Sequence, residues 1–383
     1  MTFAAFLRSL RNSRSIRDAH LLRVEVSRLA LAHNARTLKQ LIGGRSLAVV
    51  LKSNAYGHGL REVGKIADEL DSIDCLVVDS IVEARMLRGI GVRKPILIIG
   101  YVPKSRLQEL TRLRSVTLVV TSLDQVRDVV RLVHRPLSVH IKVDTGMHRQ
   151  GIAPDQLLET IAVLRTNKSL HLTGLATHFA DADGADETMT MDQIRVWNGV
   201  VEIYRKHVGE GEFHVSATAG TQFVEETTAS LVRLGIGFYG LDSVRDRSLD
   251  LKPALSVWAK ITSVKHVYVG DSVGYNATYT ATSERTIALI PCGYNEGVDR
   301  ALSNRGTVFF GSAACPIVGR VSMNMTSIDV TDVSGGVQLE DEVEVISEDR
   351  GKANSVEAIA ALCDTIPYEV LVRISPSLKR WIV

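Results

Sequence analysis

Cysteine is scarce in this chain. The 383 residues hold four, Cys75, Cys292, Cys315 and Cys363, far apart and with no CxxC pair. That spacing argues against a disulfide framework or a structural zinc site and points to a reducing compartment, the cytoplasm. An excess of either charge is also missing. Lys plus Arg number 45 against 43 Asp plus Glu, a net charge of +2, so neither a nucleic-acid surface nor an acidic tail is expected. No uninterrupted apolar run reaches the length that spans a bilayer. Aromatics are only 5% of the chain, while apolar residues reach 45%. This is the mix of a soluble globular protein with a sizeable core and two or three domains.

The first twenty residues, "MTFAAFLRSLRNSRSIRDAH", carry four arginines and one acid. A transit peptide has this look, but the apolar core of a secretory signal is absent. Residues 1–20 are read as a basic extension before the fold. A helical pattern follows in "VSRLALAHNARTLKQLI". Then come eight short apolar runs: "LAVVLK", "CLVVD", "ILIIG", "TLVV", "LSVHIKV", "LTGLATHF", "FHVSA" and "LVRLG". Amphipathic segments such as "LREVGKIADEL" and "MDQIRVWNGVVEIYRK" separate most of them. Continuous apolar strands alternating with helices indicate a parallel sheet covered on both faces. Eight units in this length predict an α/β fold, a (β/α)8 TIM-like barrel over residues 21–245. An open doubly wound sheet competes, weakened because no GxGxxG follows the first strand. Near residue 245 "SVRDRSLDLKP" reads as a linker. Residues 246–383 are glycine-punctuated and strand-like, with one helix about 353–363, and predict a mostly-β second domain.

In a barrel the reactive groups gather at the carboxyl ends of the strands. Lys52 ends the first run, Lys142 lies in the fifth with Arg149 after it, His178 ends the sixth, Thr218 follows the seventh, and Arg233 and Gly235 lie at the eighth. The loops after strands seven and eight are where barrels usually hold a phosphate. Thr218 offers a hydroxyl there, and backbone N–H groups at Gly235 and Ile236 can approach closely. A strand-end lysine, a phosphate cradle and no metal triad together suggest pyridoxal phosphate, whose chemistry needs a partly desolvated amine. Each feature alone has a plainer reading: lysines snorkel, a barrel histidine is usually structural, and an arginine is usually an ion-pair partner. Their joint placement favours the cofactor.

With "VVLKSNAYGHG" at residues 49–59, and "KVDTGMHRQG", "GLATHF", "RLGIGFYG", "VGYNATY", "CGYNEG" and "VGRVSMNM" after it in order, the chain resembles the alanine racemase family of fold-type III pyridoxal-phosphate enzymes from about residue 22 onward. The resemblance implies that Lys52 binds the cofactor covalently and is one of two bases. The second base is Tyr275, supplied by the second domain of the partner subunit in a homodimer with shared active sites. Racemisation needs a proton acceptor on each face of a planar carbon, so a lysine and a tyrosine on opposite faces make physical sense. In the family the lysine serves the D-enantiomer and the tyrosine the L-enantiomer. By the same resemblance Arg233 faces the pyridine nitrogen. An arginine there cannot accept a proton and leaves the ring a weaker electron sink. His178 supports Arg233 and helps tune Tyr275, and Arg149 bonds the cofactor's phenolic oxygen and the substrate carboxylate. Lys142 aligns with a lysine that some members carry as a carbamate, beside the alternative of a plain lysine near Asp144. Tyr56, Thr218, Gly235, Ile236 and Tyr368 hold the phosphate. Tyr294 and Met323 of the partner subunit line the substrate pocket, while Arg300, Arg320, Asp183 and Ile366 fall where the family builds its entrance corridor. The family supplies D-alanine for peptidoglycan.

Several positions depart from the family pattern. Ala217 and Thr218 stand for Asn-Ser, Ser322 and Asn324 for Cys and Asp, and Glu296 for Asp, and the ending "ISPSLKRWIV" is unusual. These changes bear on strictness for alanine and spare the two-base core. The competing functions are an amino-acid racemase of broader range acting on serine, a decarboxylase of the same fold type, and a non-catalytic protein that buffers pyridoxal phosphate. Decarboxylases usually set a carboxylate where Arg233 stands, and the buffering proteins resemble the barrel alone.

Overall fold

A computed structural model describes residues 20–216, 218–242 and 249–383. The basic extension up to residue 19, Ala217 and the middle of the linker lie outside the described residues. The chain divides into two compact units.

The first unit holds residues 30–56 and 60–252. Its eight strands are β2 (Ser46–Val50), β3 (Cys75–Val78), β4 (Ile96–Ile98), β5 (Val116–Val120), β6 (Leu137–Lys142), β7 (Leu170–Ala176), β8 (Glu212–Ser216) and β9 (Leu231–Leu234). Each pairs in parallel with the next, and β9 closes on β2 with Ala48 opposite Arg233. The closed barrel predicted from the eight apolar runs is therefore present. Its filling includes Ala48, Val50, Cys75, Val77, Leu97, Val119, Ala176 and Leu231. Helix α1 (Arg28–Leu41) precedes the barrel, and α2 (Leu60–Glu69), α3 (Ile81–Gly89), α4 (Leu107–Leu110), α5 (Leu123–Leu132), α6 (Leu157–Leu164) and α7 (Thr188–His207) connect its strands. Their inward faces are apolar at helical spacing: α2 buries Leu60, Val63, Ile66 and Ala67. Burying each such side chain is worth about 1.5–3 kcal/mol. Gly64 permits the close approach of α2 and α3, since a Cβ there would lie 2.4 Å from Leu87 Cδ2.

The second unit comprises residues 20–29, 57–59 and 253–383. Its main sheet runs β16 (Ala313–Pro316), β15 (Thr307–Phe310), β18 (Glu342–Ile346), β10 (Leu255–Lys260), β1 (Leu22–Val26) and β19 (Arg380–Ile382). A smaller sheet joins β11 (Ser263–Val267), β14 (Arg285–Ile290) and β17 (Thr326–Asp329), and β12 (Ser272–Val273) pairs with β13 (Tyr279–Thr280). The predicted helix appears as α8 (Val356–Leu362), and a further short helix, α9 (Pro367–Val372), follows it.

One difference from the sequence reading concerns residues 22–26, placed there at the front of the barrel. They form β1, which pairs antiparallel with β10 and parallel with β19. The reason lies in the side chains. Val24 and Val26 are fully buried, while Arg23 ion-pairs with Glu25 Oε1 at 3.0 Å and with Glu342 of β18. No helix is long and apolar enough to cross a membrane among the described residues.

Candidate active site

Lys52 stands two residues past β2, and the backbone beyond it is unusual. Ser53, Asn54, Ala55 and Tyr56 all have φ between 50° and 55°, a left-handed turn made of residues other than glycine. Such a conformation costs roughly 1–2 kcal/mol per residue, so neighbours must hold it. Ser53 N–H donates to Glu83 Oε1 at 2.8 Å, and Asn54 Oδ1 accepts from Leu60 N–H at 2.9 Å, the start of α2. Glu83 also accepts from the N–H groups of Asp79 and Ser80 at 2.9 and 3.0 Å, where it caps α3. One carboxylate thus ties the lysine turn to the end of β3. Strain of this kind gathers where a side chain must be aimed.

The other sequence-predicted residues of this unit also lie toward the carboxyl ends of the barrel strands: Lys142 ends β6, His178 follows β7, Thr218 follows β8, Arg233 lies in β9 and Gly235 follows it. Burial first, then Arg233, Arg149 and Lys52, push the Lys142 amine down to about 8, with Asp144 opposing. Burial first, then Arg233, Lys142, Arg149 and Lys52, push His178 down to about 3. These groups are therefore close enough to feel one another's charge, and His178 is neutral at pH 7. The exposed Arg149 rides on a loop shaped by Asp144, whose Oδ1 accepts from Gly146 and His148 N–H at 3.0 and 3.1 Å. Gln193 of α7 anchors the stretch after β7, donating to His178 O at 3.1 Å and accepting from Ala180 N–H at 2.9 Å.

Arg233 is buried in the barrel. Its Nη2 donates to Thr177 O at 2.7 Å, and its Nη1 to His214 O at 3.0 Å and to His214 Nδ1. Burial pushes the guanidinium down to about 9, so it stays charged at neutral pH. The imidazole that grips it is that of His214, which sequence reasoning did not single out. The signal extended only to its neighbour: residues two apart on a strand share a face, so His140 shares one with Lys142.

A cradle lies at the start of the 3-10 turn after β9. A Cβ on Gly235 would fall 2.7 Å from Tyr56 Oη, so only glycine leaves that space. Thr218 Oγ1 accepts from Gly237 N–H at 3.1 Å, which leaves its own hydrogen for an anion. The Tyr56 ring packs at a tilt of 31°, centroid 5.1 Å from that of Tyr239, whose Oη donates to Val50 O at 2.8 Å. A mouth with four cations and this backbone opening fits an anionic phosphorylated group such as pyridoxal phosphate.

In the second unit Tyr275, Tyr294 and Met323 are all exposed. Their backbones are knitted together. Tyr294 N–H donates to Ser322 O at 3.1 Å and Asn295 N–H to Met323 O at 2.9 Å, while a Cβ on Gly274 would lie 3.2 Å from Arg320 N. Two departures from the family pattern meet here. Asn324 Nδ2 donates to Glu296 Oε1 at 2.7 Å, as does Asn295 Nδ2 at 2.9 Å. An amide opposite a carboxylate avoids the repulsion two acids would have. Tyr368 lies on α9, which packs on Gly57: a Cβ there would fall 2.1 Å from Leu371 O.

A closed parallel barrel with a strained lysine turn, a buried guanidinium and a cationic mouth has the make-up of a barrel enzyme. The family model for the alanine racemase N-terminal domain matches residues 26–243, and that for the C-terminal domain matches residues 254–382. An alanine racemase of Sorangium cellulosum (strain So ce56) is 36% identical over 374 residues, which covers 94% of this chain and 98% of the relative. Alanine racemase 2 of Bacillus subtilis (strain 168) is 34% identical over 373 residues, covering 94% of each. Among solved structures, the alanine racemase of Clostridium difficile 630 has a TM-score of 0.88 at 29% identity, over 95% of this chain and 96% of that one. That of Bacillus anthracis with bound L-Ala-P has a TM-score of 0.87 at 30% identity, over 95% of each. The chain belongs to the alanine racemase family. It is an isomerase, an amino-acid racemase.

Proposed function

We propose that the chain interconverts L-alanine and D-alanine with pyridoxal 5'-phosphate as cofactor, using Lys52 and Tyr275 of the partner subunit as the two acid–base groups, and so supplies D-alanine for peptidoglycan. The observation that carries this reading is the gathering of Lys52, Lys142, Arg149 and Arg233 at one barrel mouth. When bound, the cofactor supplies a sink for the electrons left at the substrate α-carbon as its proton departs. Lys52 Nζ would hold the cofactor covalently in the resting enzyme and would be free to act on a proton once the substrate amine has replaced it there. Tyr56, Thr218, Gly235, Ile236 and Tyr368 would take the phosphate, Arg233 would face the pyridine nitrogen, and Arg149 would hold the phenolic oxygen and the substrate carboxylate. His178, neutral at pH 7, supports that array without adding a charge.

Tyr275 Oη takes the α-proton of the L-isomer on one face, while Lys52 Nζ delivers a proton to the other. For the D-isomer the roles reverse, so no atom is gained or lost. Tyr294 and Met323 of the partner subunit bound the pocket. The exposure of Tyr275, Tyr294 and Met323, with Met325 and Ile366, supports a homodimer in which this surface is covered. Lys142 is the candidate for carbamylation: a pKa of about 8 leaves part of the amine neutral at pH 7, the form that attacks carbon dioxide as its proton passes to water.

Borohydride reduction followed by peptide mass analysis is expected to place the cofactor on Lys52; a label on any other lysine sinks the assignment. A chiral assay against a panel of L-amino acids is expected to favour alanine, and faster turnover of serine would point to the broader-range racemase.

A further inference from the structure

His140 and His214 are buried inside the barrel, His214 against Arg233 and His140 one step further from it. Three features put them there. The β6–β7 register shifts between Val139 and His140, with Thr173 as the extra residue on β7, and a bulge of this kind re-aims the neighbouring side chain. Opposite His140 stands Gly174, where a Cβ would lie 2.9 Å from His140 Nε2 and 2.2 Å from Glu212 O. His140 Nδ1 then lies 2.8 Å from His214 Nε2.

The direction of each proton in this row follows from its Arg233 end. A guanidinium only donates, so His214 Nδ1 accepts from Arg233 Nη1. The His214 proton is then on Nε2 and is donated to His140 Nδ1. The His140 proton is in turn on Nε2, buried and without a hydrogen-bond partner among the described residues. Glu212 Oε2 stands 3.5 Å from that nitrogen, on a half-exposed side chain at the amino-terminal end of β8. Burial, then Arg233, push His140 down to about 3, and burial holds His214 well below the usual imidazole range, so both rings are neutral.

We infer that Glu212 is a positioning residue for Arg233: its carboxylate, 3.5 Å from His140 Nε2 and so a charge contact longer than a hydrogen bond, polarises a one-way donor row, Arg233 to His214 to His140, that aims the guanidinium from the opposite end of the barrel. The row joins a charged donor to a charged acceptor through two neutral rings in the Nε2–H tautomer. Glu212 touches neither substrate nor cofactor and acts only through the two histidines. Its catalytic consequence rests on the reading of Arg233 as the residue facing the cofactor.

The test uses the holoenzyme labelled with 15N-histidine, with Glu212→Leu and Glu212→Gln beside the native protein. Proton–nitrogen correlation spectra at pH 7 are expected to show His140 and His214 both as Nε2–H tautomers. Glu212→Leu should shift the His140 signals and speed exchange of its Nε2–H with water. Glu212→Gln, whose amide oxygen still accepts, should restore most of the native pattern. With the row disturbed, kcat should fall about tenfold in both directions of racemisation, with KM little changed. An imidazolium or Nδ1–H form of His214 in the native protein overturns the inference, and so do His140 signals that ignore Glu212→Leu. Altered histidine signals with native turnover leave the row standing and overturn instead the placing of Arg233 at the cofactor.

Discussion

At Gly235 a single methyl group separates a working cradle from a blocked one. A Cβ would come within 2.7 Å of Tyr56 Oη, so Gly235→Ala must push that ring aside. Affinity for pyridoxal phosphate is expected to fall at least about tenfold, a loss of about 1.4 kcal/mol, measured by titrating the apoenzyme and following cofactor absorbance. Unchanged affinity would remove Tyr56 and Gly235 from the phosphate site. Tyr275→Phe is expected to slow proton abstraction from L-alanine far more than from D-alanine, read by deuterium wash-in from each isomer. Equal losses would speak against a one-sided base. Lys52 and Tyr56 were legible in the sequence because their motif is short and contiguous. His214 was not, because its role depends on Arg233, 19 residues further on and on the next strand.

Among the elements, the left-handed turn after β2 carries conformational stress, and its restraints include a helix cap beside the Asn54–Leu60 bond. Glu83 accepts three backbone N–H groups, from Ser53, Asp79 and Ser80. The donors at Ser53 and Asp79 are exposed and that at Ser80 is half-buried, so water replaces much of what is lost; a net hydrogen bond is worth about 0.5–1.5 kcal/mol, and Glu83→Ala is expected to lower stability by about that amount in urea unfolding. It should also raise the rate at which hydroxylamine strips the cofactor from Lys52. A variant as stable as the native protein and equally slow to lose cofactor would show that the turn holds itself. The sequence predicted each barrel strand from its apolar run, but neither the left-handed turn nor the bulge at Thr173. Both are settled by partners 30 or more residues away, Glu83 for Ser53 and His140 for Gly174.

For the whole molecule, the buried histidines set a limit on the acid side. His140 and His178 are pushed down to about 3 and His214 well below its usual value, in each case by burial first. Unfolding returns them to about 6.5. Between these values the unfolded chain binds protons that the folded chain refuses, so stability is fully present above pH 6.5 and is lost as pH falls toward 3. His140 and His178 each contribute a slope of about 1.4 kcal/mol per pH unit in that window, and His214 acts in the same direction. Urea unfolding from pH 7 to pH 5 should show a steep decline that is shallower in His178→Gln; a flat profile would mean the rings are protonated in the fold. Assembly is tested by mixing. If sites are shared in a homodimer, inactive Lys52→Ala and inactive Tyr275→Phe should regain about a quarter of native activity on subunit exchange, because each mixed dimer keeps one intact site.

The sequence by itself determined the barrel, the mostly-β second domain and the family. Those follow from apolar periodicity and from motifs a few residues long, which local chain chemistry is enough to express. Tertiary structure alone decided that residues 22–26 pair with β10 and β19, since a strand's partner is chosen by which sheet edge can bury Val24 and Val26. It also decided that Asn324 answers Glu296, and that Arg233 is gripped by His214 with His140 and Glu212 behind it. Those choices depend on hydrogen bonds of about 3 Å, and for Glu212 on a charge contact of 3.5 Å, between residues remote in the chain, and only closure of the barrel and the sheets brings such groups together.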